Sequence, residues 1–137
     1  MTKTTPNSER VLLVGISNKE CRRYLAEESL LELKELAFSA GAEVVGIFLQ
    51  VRAHPDRAYL VGRGKLEEIG TSLERLSVDL VIFDQELTSA QLRNLENFLQ
   101  VKVIDRSELI LDIFAQRASS REGKLQVELA QLEYLLP

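Results

Sequence analysis

Apolar residues follow two different periods along this chain, and the alternation between them predicts the architecture. Residues 11–16 (VLLVGI), 43–49 (EVVGIFL), 79–83 (DLVIF) and 101–104 (VKVI) are short, nearly continuous apolar runs. Such runs fit strands covered on both faces, because a strand with one wet face alternates apolar and polar positions. Between the runs the apolar spacing becomes helical. Leu30, Leu33, Ala37 and Phe38 recur at that spacing, Leu31 and Leu36 widen the face, and Gly41 follows as a terminating glycine. Gly62 and Gly64 precede a helix carrying Leu66, Ile69, Leu73 and Leu76. Thr88 and Gln91 form a capping box ahead of Leu92, Leu95, Phe98 and Leu99. Asp105 and Glu108 repeat that signature ahead of Leu109, Ile110, Ile113 and Phe114. Ser119 with Glu122 repeats it again, which predicts a break near Ala118 and a fresh helix beyond it.

The predicted order is β-α-β-α-β-α-β-α-α. This is an α/β fold: a four-stranded parallel sheet in Rossmann-like layers, flanked by helices and followed by a C-terminal helical arm. The expected strand order is 2-1-3-4. Residues 1–10 read as a flexible tail, 11–118 as the α/β subdomain and 119–137 as the first arm of a helical hairpin. In that arm Leu125, Leu129, Leu132 and Leu136 are spaced by four, three and four residues. This is the narrow seam of a coiled coil, not the wider stripe of a helix lying on a core. It calls for a partner helix, from a longer protein or from a second copy of the chain in a homodimer; the alternative is that it folds back on the sheet.

Composition narrows the function. The 137 residues carry a net charge of -4, which argues against general nucleic-acid affinity but leaves room for a local basic patch. Cys21 is the single cysteine, so there is no disulfide framework and no cysteine metal site, and a cytoplasmic location is expected. His54 is the single histidine, which excludes a histidine-based metal cluster. No apolar run approaches a membrane span, and residues 1–10 lack the apolar stretch of a signal peptide.

In open parallel sheets ligands bind beyond the carboxyl ends of the strands. That edge is expected to collect Ser17, Asn18, Arg52, the segment Gly62-Arg63-Gly64-Lys65, Asp84 and Asp105. The glycine segment is the anion or nucleotide candidate, since glycines let the backbone approach a phosphate and the next helix offers free N–H groups. It is not a Walker A loop, because the four-residue spacer is missing and Leu66 stands where Ser or Thr would hold magnesium. The alternative is a glycine turn opening a helix, with two solvated cations. Asp84 is a candidate for orienting a ribose or a metal, or for capping a turn; Asp105 reads as a helix cap. Arg117, Arg121 and Lys124 cluster around the predicted break, where they can grip phosphates or complement a helix dipole.

Several segments carry a family resemblance. Residues 59–65 (YLVGRGK), 83–96 (FDQELTSAQLRNLE), 103–117 (VIDRSELILDIFAQR) and 121–137 (REGKLQVELAQLEYLLP) resemble the N-terminal region of the HflX family of ribosome-associated GTPases. The resemblance runs from about Val11 onward. It implies an α/β subdomain, then a helical hairpin, then a G domain that this chain lacks. No GxxxxGK[ST] and no Asn-Lys-x-Asp is present. The resemblance therefore implies that GTP and Mg2+ belong to the missing G domain, with ATP possible in the N-terminal region. It also implies docking on rRNA of the large ribosomal subunit, in ribosome splitting or rescue under stress. Positions matching family motifs are Gly62, Gly64, Lys65, Asp84, Arg93, Asn94, Arg106, Gln116, Arg117, Arg121, Gly123 and Lys124. Arg106, Arg117, Arg121 and Lys124 are the rRNA candidates. Ser119 and Ser120 depart from an Arg-Thr pair expected in many relatives, which removes one arginine from that segment.

Overall fold

The computed structural model describes residues 8–118, with side-chain surroundings through Gln116. The chain runs β1 (Arg10–Ser17), a short 3-10 turn (Glu20–Arg22), α1 (Arg23–Ser39), β2 (Glu43–Val51), α2 (Arg63–Arg75), β3 (Leu80–Phe83), α3 (Ser89–Leu99), β4 (Lys102–Asp105) and α4 (Arg106–Ala118). The four strands are all parallel, in the order β2-β1-β3-β4. The α/β class and the strand order are those the sequence predicts.

The two inner strands are apolar throughout because both their faces are covered. Leu12, Val14, Val81, Phe83 and Val103 lie on one face against Leu66, Ile69 and Leu73 of α2 and Leu95 and Leu99 of α3. Val11, Leu13, Leu80, Ile82 and Ile104 lie on the other, against Leu30, Leu33 and Ala37 of α1 and Leu109 of α4.

Helix ends follow their local chemistry. Gly41 has φ 87°, and the N–H groups of Gly41 and Ala42 donate to the carbonyls of Phe38 and Ala37 at 2.9 and 3.0 Å. This pair of bonds is a Schellman motif, and it requires the left-handed residue that glycine supplies. At α3 the cap is reciprocal: Gln91 N–H donates to Thr88 Oγ1 at 3.1 Å, and Thr88 N–H donates to Gln91 Oε1 at 3.0 Å. Thr88→Ala is expected to cost about 1 kcal/mol, read as a lower urea midpoint at unchanged slope. Asp105 caps α4 through the N–H of Glu108 (3.0 Å), and its second oxygen accepts the N–H of Leu87 (3.1 Å).

Some expectations are corrected. Phe38 and Leu31 are 66% and 58% exposed, because Leu30, Leu33 and Ala37 fill the arc of α1 that meets the sheet. Phe114 is exposed for a similar reason, with Leu109 facing the core and Ile113 at its margin. Phe98 is also partly exposed, its ring edge-to-face with Tyr59 at 5.9 Å between centroids. Gly64 lies inside α2 instead of ahead of it, and β4 is shifted one residue toward the C-terminus. The expected break near Ala118, the arm 119–137 and its leucine seam lie outside the described residues. Among the described residues no helix is long and apolar enough to cross a membrane.

Candidate functional site

The parallel sheet brings every strand's carboxyl end to one rim, and its two halves differ. On the β3–β4 half the charges are consumed internally. The Asp84 side chain is 3% exposed and pairs with Arg106: Nε donates to Asp84 Oδ1 at 2.8 Å and Nη2 lies 2.7 Å from the same oxygen. Arg106 also donates to Glu32 Oε1 (3.1 Å) and to the carbonyl and hydroxyl of Ser29 (2.8 and 3.0 Å). One guanidinium thus ties α4 to the end of β3 and to α1. Glu108 adds a partly buried carboxyl, which burial pushes above its ordinary value, with Asp112 reinforcing the shift and Lys102 opposing it.

At the switch point between β1 and β3, where the chain order reverses, lies an open cleft of about 400 Å³ lined by Asn18, Arg22, Ser29, Asp84 and Gln85 among others. Gln85 closes its floor. The Gln85 side chain accepts from the Ile16 N–H and donates to the Ile16 carbonyl, both at 3.0 Å, and so extends the β1–β3 ladder by a side-chain rung. Asp84 is thereby held among protein partners, and no glycine-rich loop follows β1.

On the β1–β2 half, Arg52 N–H donates to the Ser17 carbonyl at 2.7 Å. Gly62 is the N-cap of α2, and its N–H donates to Gln50 Oε1 at 2.9 Å. A Cβ on Gly62 would stand 2.6 Å from Arg52 Nη1, so the glycine leaves room for that guanidinium against the helix start. Arg63 is exposed, Gly64 faces open space, and Lys65 lies 5.8 Å from the centre of the Phe48 ring. No side chain caps α2, and its first turn carries no acid. The glycine segment is therefore the first turn of a helix and not a loop wrapped around a phosphate. Leu66, at the position where a magnesium-holding hydroxyl would stand, is wholly buried core.

The loop between β2 and α2 is pinned in ways the sequence did not signal. Asp56 Oδ1 accepts the N–H groups of Ala58 and Tyr59, and Asp56 and Leu60 exchange backbone bonds at 2.9 Å. Gln91 and Asn94 of α3 donate to the carbonyls of Asp56 and Ala58. His54 is exposed in this loop, and Cys21 is an exposed free thiol. Among the described residues no group of His, Cys, Asp and Glu is arranged to hold a metal. Arg117 falls in the last turn of α4; Arg121, Lys124, Leu125, Leu129, Leu132 and Leu136 lie outside the described residues.

Residues 27–115 match the family described as GTP-binding GTPase N-terminal, and residues 117–137 match its GTP-binding GTPase Middle Region. The chain is 52% identical to the GTPase HflX of Caldanaerobacter subterraneus subsp. tengcongensis over 138 residues, covering 100% of this chain and 31% of that protein. It is 49% identical to the GTPase HflX of Escherichia coli over 108 residues, covering 79% of this chain and 25% of that protein. The fold is similar to a GTP-binding protein from Sulfolobus solfataricus solved in complex with GDP, with a TM-score of 0.59 and 27% identity, over 93% of this chain and 37% of that one. The chain thus spans about a third or less of the length of these relatives.

Proposed function

The chain belongs to the HflX family of GTPases, matching its N-terminal part, and from that premise we propose that it is the domain by which such a protein docks on rRNA of the large ribosomal subunit. In this reading GTP and Mg2+ are held by the part of the relatives that the chain does not match. The observation that supports this reading is the continuity of the match through the middle region, which contains Arg121 and Lys124 and begins at Arg117. Cations grouped this closely along the sequence suit phosphate contacts, which set position and affinity.

The test is co-sedimentation of the chain with isolated large subunits across a salt series, without nucleotide. Binding is expected to fall steeply with salt, and to weaken about tenfold or more when Arg117, Arg121 and Lys124 become alanine, as lost phosphate contacts dictate. Absence of binding at low salt overturns the reading. A second reading, anion or ATP binding at the start of α2, draws on its uncapped first turn flanked by Arg52, Arg63 and Lys65. It requires ATP to raise the melting temperature, and Lys65→Ala to abolish the rise.

A further inference from the structure

The sheet ends at β2 on one side and at β4 on the other, and the two edges are built differently. β4 has four residues and opens on exposed Lys102. Short edge strands and edge lysines guard a sheet against pairing with another chain. β2 has nine residues with no lysine and no proline, and its one charge, Glu43 at its start, is taken by Arg10 at 3.1 Å. Its pairing with β1 shifts register once, opposite Val11 and Leu12, and is regular from Gly46 to Val51. The Arg52 N–H donates inward, to Ser17 of β1. By the two-residue period of a strand, Gln50 and Phe48 also turn their backbone groups inward, and Ile47, Leu49 and Val51 turn theirs to the open edge. The Ile47 residue itself is 42% exposed.

On one face of the sheet α1 continues this surface. It lies over β1 and β2, with Leu30, Leu33 and Ala37 turned to the core. Its Ser29 and Glu32 flank meets Arg106 of α4. On the opposite flank Arg23, Glu27, Leu31, Lys34 and Phe38 are all exposed, and their spacing of four, four, three and four residues makes them one stripe. Arg23, Glu27 and Leu31 line a cleft of about 530 Å³ together with Ile47 and Leu49, which fixes the stripe beside the β2 edge. Leu31 also borders a second hollow, lined by Lys34 and Phe38. The stripe is apolar at Leu31 and Phe38, with an acid on one side of Leu31 and a lysine on the other. Among the described residues neither Glu27 nor Lys34 has an ion-pair partner.

We propose that a second copy of this chain docks here, β2 against β2 and α1 against α1, about a twofold axis perpendicular to the sheet. Three features fit this occupant. An antiparallel copy of β2 presents the same outward backbone groups to Ile47, Leu49 and Val51, so one strand edge serves both sides of the contact. Each α1 lies over a β1–β2 pair, so two such helices stand two strand spacings apart, about 10 Å, which is a packing distance for neighbouring helices. Reversed about Leu31, the stripe on α1 is its own complement. Glu27 of each copy then meets the partner's Lys34, and the two Leu31 side chains meet at the axis. Pairing covers Leu31, Phe38 and Ile47, and joins the two sheets into one.

The experiment is sedimentation velocity of the whole chain from about 1 μM to about 1 mM, where the wild type is expected to pass from monomer to dimer. Ile47→Lys places a charge on the open edge and is expected to weaken dimerisation about tenfold or more. Glu27→Lys and Lys34→Glu, made singly, are each expected to weaken it about tenfold, because like charges then meet twice across the axis. The double variant Glu27→Lys with Lys34→Glu is expected to return to within about threefold of the wild type. Such a rescue requires the two positions to meet between copies, since within one helix they stand seven residues apart. All three positions are exposed, and circular dichroism checks that each form is folded. Leu129→Glu with Leu132→Glu is expected to leave the dimer intact. A wild type that stays monomeric at every concentration overturns the proposal. So does a double variant without rescue. A dimer lost in the Leu129 and Leu132 variant but kept in Ile47→Lys overturns it in favour of the leucine seam.

Discussion

Arg106→Ala is expected to destabilise the fold by about 3 kcal/mol, lowering the melting temperature by about 10 °C. The cause is the partner left behind. Asp84 is 3% exposed at its side chain, and Arg106 is its one side-chain ion-pair partner among the described residues. Removing the guanidinium strands a carboxylate where water cannot reach it, which costs far more than an exposed pair is worth. The same substitution cuts the ties from α4 to Ser29 and Glu32 on α1. A double-mutant cycle isolates the pair: Asp84→Ala with Arg106→Ala should cost clearly less than the two singles added together. Additive singles, or a loss below about 0.5 kcal/mol for Arg106→Ala, would show the pair to be ornamental. Any loss of the proposed rRNA binding in Arg106→Ala should track only the unfolded fraction.

The other large effect is in the core. Phe83→Ala should cost about 4 kcal/mol, measured by urea unfolding. Phe83 is fully buried at the end of β3, packed in the cluster formed with α2 and α3. Leu12 and Val14 flank it on the same face, so the void cannot be filled without moving the central strand. Phe83→Leu keeps most of the volume and should cost about 1.5 kcal/mol or less. A domain of this size has about 5–15 kcal/mol in hand, so Phe83→Ala and Arg106→Ala together should leave it largely unfolded at 37 °C. Near-equal effects of Ala and Leu at position 83 would mean that the void collapses, contrary to tight packing there.

Much of this fold is legible in the amino-acid order because the signals are local. Continuous apolar runs mark strands buried on both faces, and Gly41 and the Thr88–Gln91 pair act within a few residues of themselves. The parallel class then follows from alternation alone. Helix faces are read less well. Phe38 follows Ala37 by one residue, yet about 100° of rotation carries it from the sheet to the solvent. The site is legible in part. The Gly62–Lys65 segment and Arg52 are recognisable as belonging to the strand ends, but Asp84 and Arg106 are 22 residues apart and meet only because β3 and β4 are neighbours.

The strand order β2-β1-β3-β4 has a consequence for how the domain is made. A nascent chain delivers β1 first, and β2 then joins one side of it. β3 joins the other side, and β4 adds to β3. Each newly emerged strand thus finds a free edge waiting, and none has to wedge between two that are already paired. The sheet can grow outward at the pace of synthesis, its central strand shielded well before the last edge arrives.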